Sequence, residues 1–242
     1  MISMTETPTE CKKTENAAHS GRGRRRFEDG MDAATLAEAT RADILANAKL
    51  AFMSNGFDGT SVNEIARNTQ TSKRMIYYYF GSKDGLYRAV LEDAYSQASQ
   101  ARSLDRLDLL EPVEALKAYA ARAFDNHYQN PDFVRLVMAE NLNQARTLRD
   151  SPAISERTQR SLGYLDDVLT RGKQSGVFRQ DCDLVDLYLV IISLSFYSIS
   201  NQSTVAISLG IDMADPAQLD RRRALIVENA LRFALRAPLE PA

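Results

Sequence analysis

The chain has no tryptophan, two cysteines and two histidines among its 242 residues, and each shortage closes off a class of function. Cys11 and Cys182 lie far apart and fit neither the spacing of a zinc site nor a disulfide framework. His19 stands near the start and His127 alone in the body, so no His/Cys set with metal spacing exists; a glycine-rich phosphate loop and a nucleophile elbow are missing too. Asp166 and Asp167 are neighbours on a helical stretch, point in diverging directions and make a poor acid–base couple. Neither catalysis nor a cofactor is expected. An excess of charge of one sign is also lacking: 30 Lys and Arg against 32 Asp and Glu give a net charge of -2 and a pI near 5.8. That balance excludes a uniformly basic nucleic-acid coat, and leaves any DNA contact to a local patch. The polar N-terminus has no apolar run resembling a secretory signal, so a reducing cytoplasm is the expected location.

Long hydrophobic runs are scarce as well. From Leu187 to Ile211 no residue is charged, a length sufficient to span a bilayer. Asn201, Gln202, Ser203 and Thr204 interrupt it past its middle, where their burial in lipid would be costly. The expected structure is a helix from about Leu184 to Asn201, apolar around most of its circumference and buried in protein, with no membrane span.

What is present is an ordinary globular composition, 44% hydrophobic and 26% charged, enough for one large or two small cores. Residues 1–35 are polar and without period, and are expected to form a disordered tail. Within that tail Arg22, Arg24, Arg25 and Arg26 read either as a solvated charge run or as an arm for DNA phosphates or the minor groove. From Arg41 a helical period begins, with Ile44, Ala48, Ala51 and Phe52 on one face and Gly56 as a stop. Ser61 and Glu64 have capping-box spacing ahead of a short helix ending near Asn68. Ser72 caps a third helix to about Phe80, Gly81 and Ser82 break it, and a long fourth helix follows from Lys83 towards Ser99. Two short helices joined by a tight turn and packed by a preceding helix make a helix-turn-helix unit over residues 36–82. Residues 83–242 continue as helices without strict strand alternation or an internal repeat. The expected fold class is all-α, a small N-terminal module followed by a larger helical body.

The third helix, "SKRMIYYYF", crowds aromatic and basic side chains together. At 3.6 residues per turn, Ile76, Tyr79 and Phe80 share an inward face, able to meet Ile65 and Phe52. Arg74, Met75 and Tyr78 point the opposite way, flanked by Lys73 and Tyr77. Arg can read guanine bidentately, Met can touch a thymine methyl, and Lys or Tyr can hold phosphates. Lys83 is a cation at a helix N-terminus, unfavourable for the helix itself but suited, with the free amides there, to a phosphate. Thr60 and Ser61 offer hydroxyls and amides at the start of the second helix.

The ordered set Arg41, Ile44, Ala48, Phe52, Gly56, Phe57, Thr60, Ser61, Val62, Ile65, Ala66, Ser72, Tyr77, Tyr79, Phe80, Ser82, Lys83 and Leu86 closely resembles the DNA-binding module of the TetR family of bacterial transcriptional regulators. The resemblance covers residues 41 to 90. It implies that Thr60, Ser61, Tyr77 and Lys83 contact phosphates, and that Lys73, Arg74, Met75 and Tyr78 face the major groove. The chain departs from the family in two places. Gln70-Thr71 replaces the common Gly-Val of the turn, so a non-glycine residue is expected to have to tolerate an unusual backbone conformation there. Arg74 and Met75 replace residues that are often small, so the operator sequence cannot be borrowed from a relative.

The resemblance further implies a C-terminal domain that forms a homodimer through its last two long helices and encloses a small-molecule effector pocket. The largely uncharged helix from Leu184 and the stripe Ala224, Val227, Leu231 and Ala234 suit a four-helix interface. Two-fold symmetry then predicts a pseudo-palindromic double-stranded DNA operator, its half-sites about 34–36 Å apart. For the pocket, His127, Glu140, Asn141, Tyr164, Phe196 and Tyr197 are the candidate lining residues, with Asn141 and Tyr164 supplying polar contacts. The function expected is a repressor released by its effector. The alternatives are an activator, or a non-specific DNA-binding protein without effector.

Overall fold

The computed structural model of the chain describes residues 32–69, 71–102 and 106–236. The arginine run at Arg22 to Arg26 and the turn residue Gln70 lie outside the described residues. Those described form ten α-helices and no β-strand, with a single antiparallel bridge between Phe178 and Leu235.

The N-terminal module begins with α1 (Ala33–Gly59), α2 (Val62–Asn68) and α3 (Lys73–Phe80), and is joined to the rest by α4 (Lys83–Arg102). Helix α1 starts eight residues ahead of Arg41, where its apolar period begins. Asp32 caps it, its carboxylate accepting the Thr35 N–H at 2.7 Å. The first two turns bury no side chain, so hydrophobic periodicity carries no trace of them. Gly56, at φ 69° and ψ 179°, breaks α1 before its last turn. Ser61 and Ser72 cap α2 and α3, accepting the N–H groups of Glu64 and Met75 at 3.1 and 3.2 Å. Ile44, Phe52, Ile65 and Ile76 meet Leu86 and Tyr87 of α4 in one buried cluster.

The body consists of α5 (Pro112–Gln129), α6 (Pro131–Leu142), α7 (Pro152–Gln174), α8 (Leu184–Ser200), α9 (Gln202–Leu209) and α10 (Pro216–Ala234). Four of the seven prolines stand at the first position of a helix, where the missing N–H costs nothing. Helix α5 is central: Leu116, Tyr119 and Phe124 are buried against α7, α8 and α10. Arg223 on α10 grips Asp125 on α5 with a bidentate ion pair at 2.9 and 3.0 Å. The uncharged run is divided, because α8 and α9 meet at 73° beside Asn201. No single described helix is long and apolar enough to cross a membrane.

The two clusters are fastened together. Leu136 of α6 and Ile154 of α7 join the core of the N-terminal module. Lys49 of α1 pairs with Asp132 of α6 at 3.3 Å, and Ser151, ahead of α7, donates to the Glu92 carboxylate on α4 at 2.7 Å.

Candidate DNA-binding face and interior cavity

Helix α3 turns Ile76 fully inward and leaves Lys73, Arg74, Met75, Tyr77 and Tyr78 exposed. Tyr78 is the most open of the aromatics, at 77% exposure. Lys73 lies 5.7 Å from the centre of the Tyr77 ring, close enough for a cation–π contact that holds both side chains on the outer face. Tyr79 and Phe80 are half-buried, and Arg41 of α1 covers Phe80 at 5.4 Å. The outer face thus carries groups of the kinds able to read base edges and hold phosphates.

Next to α3, the first turn of α4 carries Lys83 with its ammonium 4.4 Å above the Phe57 ring. Arg146, from the turn after α6, lies 5.7 Å from the same ring and pairs with Asp84 at 3.0 Å. Three elements therefore converge beside Lys83, and the body reaches the edge of the N-terminal module through Arg146. Ser61 remains exposed at the start of α2. Thr60 is a correction: it is 2% exposed, and its hydroxyl points inward to the carbonyls of Ala51 and Gly56 at 3.0 and 2.7 Å. The Thr60 hydroxyl is thus spent on the backbone around the break at Gly56 and is turned away from the outer surface.

A cavity of about 710 Å³ opens in the body between α4 to α8, a volume typical of small-molecule sites. His127, Tyr164 and Phe196 line it. His127 Nδ1 is 2.6 Å from Ser195 Oγ, which in turn donates to the Ala123 carbonyl at 3.1 Å. Because the single serine proton goes to that carbonyl, Nδ1 of His127 donates to Ser195 Oγ. Phe133 stacks on the imidazole at 6.2 Å and Phe196 meets it edge-on at 5.6 Å. Burial, followed by the charges of Tyr188 and Glu140, pushes the Tyr95 phenol up to about 12, so it faces the cavity as a neutral hydroxyl.

The other three candidates lie elsewhere. Asn141 is exposed at the end of α6, and Tyr197 points outward from α8 at 59% exposure. Glu140 is buried but outside the cavity wall, its Oε2 accepting the Thr147 N–H at 3.2 Å. There it fastens the turn that delivers Arg146, in which Gln144 and Ala145 both have left-handed backbone, φ 56° and 54°. Burial first and the Glu140 charge second hold the nearby Tyr87 phenol far above the usual tyrosine range. Sequence reasoning missed the polar wall from α7, namely Arg157, Thr158, Arg160 and Ser161. A signal existed, since Arg157, Arg160, Ser161 and Tyr164 follow the i, i+3, i+4, i+7 rule of one helical face.

Residues 44–90 match the family described as "Bacterial regulatory proteins, tetR family", and residues 112–229 match "Tetracyclin repressor-like, C-terminal domain". The HTH-type transcriptional repressor NicS of Pseudomonas putida is 36% identical over 199 residues, covering 82% of this chain and 94% of that protein. The chain belongs to the TetR family of transcriptional regulators.

The TetR relationship extends to the HTH-type transcriptional repressor SCO4008 of Streptomyces coelicolor, 26% identical over 67% of this chain and 79% of the relative. Among solved structures, the regulator SCO4942 of Streptomyces coelicolor superposes with a TM-score of 0.62 at 28% identity, covering 82% of this chain and 99% of that one. FadR of Bacillus subtilis, solved in complex with stearoyl-CoA, shares the fold with a TM-score of 0.57 at 19% identity, over 78% and 98% of the two chains. The outer face of α3 falls inside the first TetR match. All of the cavity wall except the residues of α4 falls inside the second.

Proposed function

We propose that this TetR-family regulator is a homodimeric repressor that leaves a pseudo-palindromic operator when a small molecule occupies the cavity. The carrying observation is the course of α4. Its first turn presents Lys83 beside α3, and its later turns supply Tyr95, Ser96 and Ser99 to the cavity wall, roughly 20–25 Å along one rigid rod. A ligand pressing on one end tilts the other, and favours dimers whose recognition helices are wrongly spaced. Repression is the sense in which both NicS and SCO4008 are named.

Footprinting on DNA flanking the protein's own gene tests the DNA half of this reading. A protected pseudo-palindrome is expected. Arg74→Ala is expected to change base preference within it, losing about 1–3 kcal/mol of discrimination at one position. Lys83→Ala is expected to weaken all sequences alike and reduce the salt slope by about one. Loss of affinity without any change of base preference in Arg74→Ala would remove that side chain from the groove.

The dimer half rests on α8, where Val185, Leu189 and Tyr197 form an exposed stripe, with exposed Leu225 on the adjoining α10. Such a stripe is an interface feature rather than a solvent face. Leu189→Glu is expected to convert the protein to monomers in sedimentation velocity runs at micromolar concentration. A dimer that persists unchanged would exclude this face as the interface.

A further inference from the structure

The walls of the cavity are chemically segregated. Helix α7 contributes Arg157, Thr158, Arg160 and Ser161, and α4 faces them with Ser96 and Ser99. Helices α6 and α8 contribute Phe133, Val137, Tyr188, Ile192 and Phe196. No Asp or Glu is among the lining residues, and neither Arg157 nor Arg160 pairs with a carboxylate among the described residues. Arg157 is instead braced by one bond, Nη1 to the Glu92 carbonyl at 3.0 Å. Its guanidinium has five N–H donors in a rigid fork, so most of its hydrogen-bonding capacity is left for something else. A partly enclosed site with two uncompensated cations asks for an anion, and the planar fork matches a carboxylate. On the opposite wall rings outnumber aliphatic chains, since Phe133, Tyr188 and Phe196 accompany only Val137 and Ile192, and Tyr95, His127 and Tyr164 add further rings around the site. Flat faces of this kind favour a flat partner by stacking and edge-to-face contact.

We propose that the cavity binds a small aromatic carboxylate, its carboxylate at the Arg157–Arg160 end and its ring against Phe133, Ile192 and Phe196. This rests on the reading of the cavity as an effector site and specifies the ligand class. The hydroxyls of Tyr95 and Ser96 add donors at the α4 side, so seating the anion draws α7 and α4 together. Arg157 already ties those helices through Glu92.

The test is isothermal titration calorimetry on the full chain with four probes: 2-naphthoate, 2-naphthamide, 2-naphthylmethylammonium and dodecanoate. The expected result is that 2-naphthoate binds about tenfold or more tightly than the amide, and more tightly than the ammonium and the fatty acid. Arg160→Gln, a change at an exposed residue that the fold tolerates, is expected to weaken 2-naphthoate about tenfold and leave the amide unchanged. Arg157→Gln should do the same, with cooperative thermal unfolding checked alongside because its Glu92 bond is lost. The proposal is overturned if the amide or the ammonium binds as well as the carboxylate, if dodecanoate matches 2-naphthoate, if Arg160→Gln leaves carboxylate affinity unchanged, or if none of the four binds. These titrations contain no DNA. Carboxylate binding that fails to lift the footprint would therefore count against effector release and leave the ligand class standing.

Discussion

Gly172→Ala is expected to lower the melting temperature by about 10 °C, the equivalent of about 3 kcal/mol for overpacking in a chain of this size. A Cβ at this position would stand 1.9 and 2.3 Å from two ring carbons of Phe178. That ring is 1% exposed, and the Phe178 N–H is bonded to the Gly172 carbonyl at 3.0 Å. Phe178 also forms the bridge to Leu235 at the end of α10, so it cannot retreat without disturbing α7 and α10 together. Truncating the ring instead, Phe178→Ala, should cost about 3–5 kcal/mol through the cavity it leaves. In the double variant the new methyl occupies part of that cavity, so the total loss should fall well below the sum of the two. Differential scanning calorimetry on the four proteins decides the matter. A single Gly172→Ala variant within about 2 °C of the parent would mean the ring relocates freely, and the close approach would then have no energetic meaning.

The largest effect on DNA binding is expected from Gly85→Ala, a residue that itself touches no base. A Cβ there would lie 2.1 Å from the Phe80 carbonyl oxygen. Phe80 ends α3, and Gly85 sits in the first turn of α4, where its N–H is accepted by Ser82 Oγ at 3.0 Å. A backbone oxygen has no rotamer to change, so relief must come from moving α3 against α4. Displacements of this kind misplace Arg74 and Lys83 relative to each other. Operator affinity is expected to fall at least about 100-fold, corresponding to about 2.7 kcal/mol. Helical circular dichroism and cavity titrations should be retained, which separates the effect from unfolding. Operator affinity within threefold of the parent would show that the helix pair absorbs the shift without loss.

Much of the DNA-facing module was legible because its signals are local. Ser61 and Ser72 announce helix starts through side-chain chemistry acting within three residues, and the structure has them in those roles, whereas the Glu64 carboxylate accepts from Asn55 instead of closing a capping box. The front of α1 was not legible, since residues 33–40 bury nothing and Asp32 alone marks the beginning. Thr60 was misjudged because its hydroxyl answers a backbone break at Gly56, and a break of that kind becomes visible only with the dihedral angles in hand. The cavity divided in a similar way. Tyr164 and Phe196 do line the cavity, yet helical phase alone cannot tell a face that meets another helix from one that meets empty space. Glu140 is inward too, but meets the turn at Thr147, whereas Tyr197 follows Phe196 by one residue and so turns away by about 100°. Arg157 and Arg160 share a helical face with Tyr164, but that phase does not say whether the face meets a cavity or open solvent.

Only Ile76 of the eight residues in α3 is fully buried, and this has an evolutionary consequence. Substitutions at Lys73, Arg74, Met75, Tyr77 and Tyr78 remove exposed side chains, each costing the fold within about 0.5 kcal/mol. If this face reads the operator as proposed, descendants of this gene can acquire new target sequences by single steps that selection for folding does not oppose. The buried positions behind them, tied into Phe52, Ile65 and Tyr87, have no such latitude. Divergence among duplicated copies should accumulate on one side of a single short helix while its reverse side stays fixed.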